Sequence, residues 1–481
     1  MKRAFSPVVE PVRPENRLRV TQGRFSSAIA LLLMTLFALP LVIDPRIFLS
    51  FDDTYLVPRL YWLYGAVLPA SLLVLFNWTT RWHGLRPWGI VLLGMLGWLT
   101  LGAVAHGGNW AQWWGNPDRA DGVLMHVLYG LLAVAGWRWA TQDSGWQFKL
   151  TLAVLLGGGL TALTSVLQQL HLMGVPNGNA LTGVSATPFG GTLGNRGYMG
   201  GAMALMLPLG LWGLGQFKDL PRLLPWAIGA NVLMAWALLG SNTRGAWLAG
   251  AGAVAMWWWL SRRQRPRGWK VSLLGGLALF ATTAYAFSFS QSSTSNVREF
   301  GRGDAGITGS SGRKVLWNSA LIGIQQKPLL GWGAGGLYRV MNTRSPEVLF
   351  QESGLQGQRI SGFLNKRPEQ APLIQFRYPG GRPQFMPLNI NKVHNEYLDY
   401  ALTYGLPAAV LFVGLLMAGM WQSAWAAPGI CGALVGYALY LMTWPDVIRF
   451  APIAWFILGI ALAQRCSPSD LHPPPHQHHQ P

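Results

Sequence analysis

Residues 223–260 read LLPWAIGANVLMAWALLG, then SNTR, then GAWLAGAGAVAMWWWL. Two apolar runs, 223–240 and 245–260, flank Ser241-Asn242-Thr243-Arg244. Each run is close to the ~17–20 residues that cross a bilayer as a helix. Backbone amides and carbonyls in lipid must bond within their own segment, so the runs are helices. The link between them is too short for a domain, so the chain only reverses direction there. Arg244 is therefore held at the membrane surface, at the tip of a helical hairpin.

Outward from this hairpin, similar runs recur at 25–43, 60–76, 88–105, 122–140, 150–171, 199–216, 271–289, 398–420, 428–443 and 450–464. With the first two they make about twelve. The predicted fold class is all-α: a polytopic membrane protein with about twelve transmembrane helices and one long extracytoplasmic loop. Composition agrees. The chain of 481 residues is 51% hydrophobic and 11% charged, where a soluble domain carries about a quarter charged residues.

The formal net charge is +19. Basic chains often bind nucleic acid, but here the charge follows topology, and no nucleic-acid partner is expected. Lys2, Arg3, Arg13, Arg17, Arg19 and Arg24 precede the first run, and Arg262, Arg263, Arg265, Arg267 and Lys270 follow the eighth. The positive-inside rule puts both groups in the cytoplasm. Residues 1–24 then form a basic cytoplasmic tail, 25–289 transmembrane helices one to nine, and 290–397 a large extracytoplasmic loop. Residues 398–464 supply helices ten to twelve and 465–481 a cytoplasmic tail. That tail carries His472, His476, His478 and His479 among prolines; it reads as a passive tail, although histidine clusters can bind metal. Cys431 falls within a span and Cys466 on the inner side, so no disulfide framework is implied.

The long loop carries 13 Lys and Arg against five Asp and Glu over 290–394. That balance fits an anionic partner, a phosphate or lipid headgroup, and also a solvated basic loop. Residues 290–312 are rich in Ser and Gly. From Arg313 to Gln325, the spacing of Val315, Leu316, Trp317, Ala320, Leu321 and Ile324 predicts a short amphipathic helix on the membrane surface. Gly331-Trp332-Gly333-Ala334-Gly335-Gly336 follows Pro328. Such a run lets backbone approach a ligand, with Trp332 a candidate substrate contact, or it makes a plain turn. Residues 341–390 are polar and Pro-rich with no clear helix.

No Asp, Glu, Lys or Arg falls in the middle of a run, which disfavours a proton-coupled transporter. Charge gathers at outer helix ends. A guanidinium at such an end binds phosphate oxygens in a bidentate fork, or snorkels to the interface. Arg244 and Arg313 are the leading candidates, with Arg119 and Arg196 behind them. His394 opens the tenth run and is the sole histidine of the long loop. A helix N-terminus disfavours imidazolium, leaving a neutral ring able to accept a proton. Trp110, Trp113 and Trp114 can stack on sugars or anchor at the interface. Asp52 and Asp53 are adjacent carboxylates able to bind a divalent metal; with no other metal cluster in the sequence, a metal-free and cofactor-free site is expected.

Four segments together resemble the superfamily of O-antigen ligases and O-antigen polymerases, bacterial membrane glycosyltransferases. They are Gly191-Thr192-Leu193-Gly194-Asn195 leading to Pro208; Ser241 through Ala246; Gly312-Arg313 through Trp317 to Pro328-Leu329-Leu330-Gly331-Trp332-Gly333; and His394-Asn395-Glu396-Tyr397-Leu398 with Tyr404-Gly405-Leu406. Arg196 and Gly197 depart from the family pattern after Gly-Asn. The resemblance implies an inverting, metal-independent transferase in the bacterial inner membrane, its active site facing the periplasm. The implied donor is an undecaprenyl-diphosphate-linked glycan, and the acceptor a glycan, a lipid core or a protein, with membrane lipids as further partners. Arg244 and Arg313 match the family's diphosphate-engaging residues and His394 its essential histidine. Competing expectations are a protein O-oligosaccharyltransferase, a small-solute (inorganic-carbon) transporter and an assembly scaffold.

Overall fold

The structure, a computed structural model, describes residues 14–44, 46, 54–76, 86–116, 119–174, 189–262, 265–290, 310–352, 359–363, 373–377, 383–387 and 392–464. Asp52, Asp53, Cys466, most of the Ser/Gly stretch 290–312 and the histidines after residue 470 lie outside them.

Each apolar run is helical. The helices are α1 (Pro14–Ala38), α2 (Val57–Phe76), α3 (Arg86–Ala105), α5 (Val123–Gln142), α6 (Trp146–Gln169), α7 (Arg196–Gly213), α8 (Leu224–Gly240), α9 (Arg244–Leu260), α10 (Trp269–Ser290), α15 (Leu406–Ser423), α16 (Pro428–Leu441) and α17 (Ala451–Ala463). A short helix α4 (Trp110–Trp114) lies between α3 and α5. Among the described residues, six helices are long and apolar enough to cross a membrane: Val57–Phe76, Pro87–Ala105, Val123–Gln142, Trp146–Gln169, Arg196–Phe217 and Leu406–Ser423. Phe25–Leu41, Leu224–Gly240, Pro428–Leu441 and Ala451–Ala463 are shorter apolar helices. The chain is a multi-pass membrane protein. Its outer helices present Phe76, Ile90, Leu93, Leu156, Val410 and Met417 to the exterior, the arrangement lipid favours.

Helix α7 is the buried centre, packed by α6, α8, α9 and α16. Helix α17 lies against α5, and glycine makes that approach possible from both sides. A Cβ at Gly459 would stand 1.8 Å from Ala133 O, and one at Gly136 2.2 Å from Phe456 O. In lipid, where apolar burial does not drive helices together, such backbone proximity supplies the packing energy.

The long loop departs from expectation in three ways. First, the expected tenth span, 398–420, is two helices: α14 (Glu396–Tyr404) and α15, broken at Gly405. Gly405 has φ 88°, and a Cβ there would meet Leu329 O. The break is built in by Gly405 and by Pro407, which suits the first turn of a new helix. Second, the amphipathic segment is a helix, α11 (Ser310–Gln326), and much of its apolar stripe meets protein. Val315, Leu316 and Ala320 are buried, and α11 packs on α12 (Gly336–Thr343), α13 (Pro346–Glu352) and α14, while Leu321 stays exposed. Third, the fold is not purely helical. Strands β1 (Arg359–Phe363), β2 (Leu373–Arg377) and β3 (Pro383–Pro387) form an antiparallel sheet in sequence order. Arg359 pairs with Arg377, and Leu373 with Pro387.

Candidate active site

Among the described residues, five non-glycine residues have positive φ: Ala120 (53°), His171 (55°), Phe189 (72°), Asn242 (48°) and His394 (56°). L-residues rarely adopt this conformation, and it persists where surrounding structure imposes it, commonly at functional sites. Ala120 adjoins Arg119, Asn242 stands two residues before Arg244, and His394 is itself a candidate. The contacts below place these segments at one end of the bundle.

Trp444, in the link between α16 and α17, is the hub. The His394 ring meets it edge-on at 5.5 Å, and Tyr198 meets it edge-on at 5.9 Å. A Cβ at Gly197 would strike the Trp444 ring at 2.4 Å, and one at Gly245 would be 3.5 Å from it. Arg196 and Arg244 each precede one of these glycines in the chain. Both open their helices, α7 and α9. Asn195 caps α7 by accepting the Gly197 N–H at 2.8 Å. Arg244 is exposed and Arg196 half-buried.

Arg119 Nη1 donates to the Tyr198 hydroxyl at 2.5 Å. Arg449 lies over the Tyr198 ring at 4.8 Å and over Tyr55 at 5.4 Å, and donates to Leu193 O. Arg59 is fully buried and donates to the carbonyls of Leu39 (3.2 Å), Pro40 (2.9 Å), Thr192 (2.8 Å) and Tyr55. It serves as a backbone clamp between the α1 end and the segment before α7.

His394 is pushed down to about 3, first by burial and then by the Arg119 and Arg313 charges. The imidazole is therefore neutral at pH 7. The sequence suggested a neutral ring because of a helix end; burial and two guanidinium groups are the causes found. Arg313 belongs to α11 and Arg119 to the segment before α5. One neutral imidazole flanked by two cations can bind a dianion and accept a proton from a neighbouring hydroxyl.

Beside this group lies a buried acidic set. Lys392 Nζ contacts Asp121 Oδ2 at 2.6 Å and Asp399 Oδ2 at 2.5 Å, with Glu396 Oε1 at 3.9 Å. Burial disfavours the ammonium, but Asp121, Asp399 and Glu396 outweigh it and hold Lys392 well above its ordinary value. Glu396 Oε2 accepts the Asp446 N–H at 2.8 Å. Burial raises both acids, Asp446 to about 7. Sequence reading passed over this set because each residue looks like an ordinary charge near a helix end.

The remaining candidates are engaged elsewhere. Trp332 donates its indole N–H to Gly323 O at 2.8 Å, and Lys327 lies over its ring at 4.2 Å. The glycine run spends amides on protein: Trp332 N bonds Leu402 O, Gly333 N bonds Thr403 O, and Ala334 N bonds Gln112 Oε1. Trp110 stacks on Trp114 and Trp114 on Tyr64, at 5.4 and 5.7 Å. Trp113 donates to Gly108 O.

Residues 229–413 match the family model described as O-antigen ligase. That stretch belongs to the O-antigen ligase superfamily. No curated protein matches the chain. The O-antigen ligase region contains Arg244, Arg313, Lys392 and His394, whereas Arg119, Tyr198 and Trp444 lie outside it. The centre is thus assembled from the matched region and from helices on both sides of it.

Proposed function

We propose that this chain is an inverting, metal-independent glycosyltransferase. It moves a glycan from undecaprenyl diphosphate to an acceptor hydroxyl at the periplasmic face of the bacterial inner membrane. The observation that carries the reading is the packing of His394 on Trp444, with Tyr198 and its partner Arg119 on the same indole; the Arg119 and Arg313 charges, after burial, also hold the ring neutral. The O-antigen ligase match over 229–413 supports the substrate class.

Arg313 and Arg119 grip the diphosphate oxygens, and Arg244 and Arg196 extend the cationic rim. A diphosphate is a good leaving group, so no strong acid is required. The guanidinium groups stabilise charge that grows on the departing diphosphate as the anomeric C–O bond breaks. His394 accepts the acceptor hydroxyl proton, a contribution of ~10²–10⁴-fold. The acceptor oxygen attacks opposite the leaving group, so the anomeric centre inverts.

Burial first, and the charges of the two arginines second, make His394 a weak base. Bound diphosphate offsets the arginine part, so its basicity rises when donor is in place.

The test is in vitro transfer from a defined polyprenyl-diphosphate glycan, with saccharide, lipid-core and protein acceptors offered separately and the product linkage determined. Anomeric inversion with activity retained in chelator is expected. Retention of configuration, or reversible loss of activity in chelator, overturns the mechanism. Transfer to protein alone would select the protein O-oligosaccharyltransferase reading.

A further inference from the structure

Arg119 and Asp121 are separated only by Ala120, and Lys392 and His394 only by Val393. Ala120 and His394 both hold positive φ, so each short segment is kept in a conformation its own sequence resists. The two segments come from opposite parts of the chain, one before α5 and the other before α14. A direct contact joins them: Lys392 Nζ to Asp121 Oδ2 at 2.6 Å.

Every polar arm of that contact is tied down. Asp121 Oδ1 accepts the Asn116 N–H at 3.0 Å, and Asp121 O accepts the Tyr404 hydroxyl at 2.6 Å. The second carboxylate on Lys392 is Asp399 Oδ2 at 2.5 Å, whose Oδ1 accepts the Val393 N–H at 3.2 Å. Asp399 thus binds the side chain of one residue and the backbone of the next, on the path to His394. Lys392 is 6% exposed and Asp399 5%. A dry, doubly paired ammonium is far less compliant than a surface ion pair, because moving it leaves charge unpaired in a low-dielectric setting.

We propose that Asp121, Lys392 and Asp399 form an ionic clasp that fixes the spacing between Arg119 and His394, and that the three are positioning residues for transfer. This inference rests on the glycan-transfer reading of the site. None of the three needs to touch the donor. Their effect passes through the two strained segments, and a shift of about 1 Å between a leaving-group contact and a base costs on the order of 10²-fold in rate.

Asp121→Asn is the sharpest variant, since the amide oxygen still accepts the Asn116 N–H and only the charge is lost. In full-length protein, with a polyprenyl-diphosphate glycan as donor, kcat is expected to fall on the order of 10²-fold with donor KM nearly unchanged. Asp121→Glu, which restores charge, is expected to recover part of the loss. Hydrogen exchange of amides 392–396 should quicken in Asp121→Asn while exchange in α5 and α17 stays as in wild type. Wild-type kcat in folded Asp121→Asn overturns the clasp. So does rapid, loop-like exchange at the Val393 amide of the wild-type protein, a measurement needing neither a variant nor activity. Wild-type protein that transfers no glycan beside a His394→Ala control counts against the transferase reading instead, and the exchange data then decide the clasp alone.

Discussion

The two ends of the helix bundle use the same residue types in opposite ways. At the His394 end, Arg59, Lys392, Glu396, Asp399, Asp446 and Arg449 are buried, and the backbone is held at positive φ at Ala120, Phe189, Asn242 and His394. At the other end, Lys149 pairs with Asp143 while 39% of its side chain stays exposed. Arg265 there lies over Trp258 at 4.2 Å, Arg262 over Trp259 at 5.8 Å and Lys270 over Trp269 at 5.8 Å. Cations over interfacial tryptophans anchor helices and set orientation. Desolvated cations facing an imidazole are costly to maintain, and they concentrate where chemistry uses them. Charge count alone does not separate the two ends, nor does a single buried cation, since Arg138 at the second end is buried as well; the clustering of buried charge and the backbone strain do.

The largest expected effect breaks the comparison at its active end. His394→Ala should lower transfer by ~10²–10⁴-fold, and Arg313→Ala comparably, while membrane insertion and yield stay at wild-type level. Arg313→Lys should restore little, because a point charge does not reproduce the planar fork; initial rates with labelled donor measure all three. Recovery by Lys to full activity would reduce the site to simple electrostatics.

A stability effect comes next. Lys392→Met leaves buried Asp399 and half-buried Asp121 without their shared cation. Removing one partner of a buried pair costs about 3–5 kcal/mol, read as a fall in thermal midpoint in detergent. The same change at Lys149 should cost about 0–1 kcal/mol, as an exposed pair does.

The pH dependence sharpens the comparison further. Protonation of His394 removes the base, so activity is lost as pH falls through its pKa. In the free enzyme that value is about 3, and kcat/KM should hold down to strongly acid pH. Bound diphosphate offsets Arg119 and Arg313, so the acid limb of kcat should lie at higher pH than that of kcat/KM. Arg313→Gln removes one depressing charge and should move the kcat/KM limb upward. Coincident limbs in the wild-type protein would remove the charge coupling proposed here.

The smallest effect belongs to the opposite end. Arg265→Ala loses a cation–π contact of about 0.5–1 kcal/mol and should leave transfer rates unchanged. A large loss of transfer there would show that the two ends do not divide labour as described.

Much of this was legible in the chain. Hydropathy located every long helix, since a bilayer demands about the same apolar length wherever it is crossed. His394, Arg313 and Arg244 stood out because a charged or titratable group at a helix end in a basic loop has few roles. Gly405 with Pro407 signalled the split in the expected tenth span, and Pro379-Gly380-Gly381 signalled a turn in the segment that carries the sheet. Both signals are short, and the continuous apolar pattern of 398–420 and the scarcity of long alternating runs in 341–390 hide them. Arg119 looked like one outer-loop arginine among several. Trp444 looked like one more interfacial tryptophan among 25, and nothing local in Asp121 announces a lysine hundreds of residues away as its partner.

Sequence by itself determined the helical, multi-pass architecture, because span length and internal hydrogen bonding are local demands that each segment answers alone. It also supplied the imidazole and the guanidinium groups. Only tertiary structure decided that Arg119 and Arg313 are the cations acting on His394, and that Trp444 joins α7, α9 and the start of α14. Coulombic and packing interactions depend on distance through space, and that distance is set by how α5, α7, α11, α14 and the α16–α17 link meet.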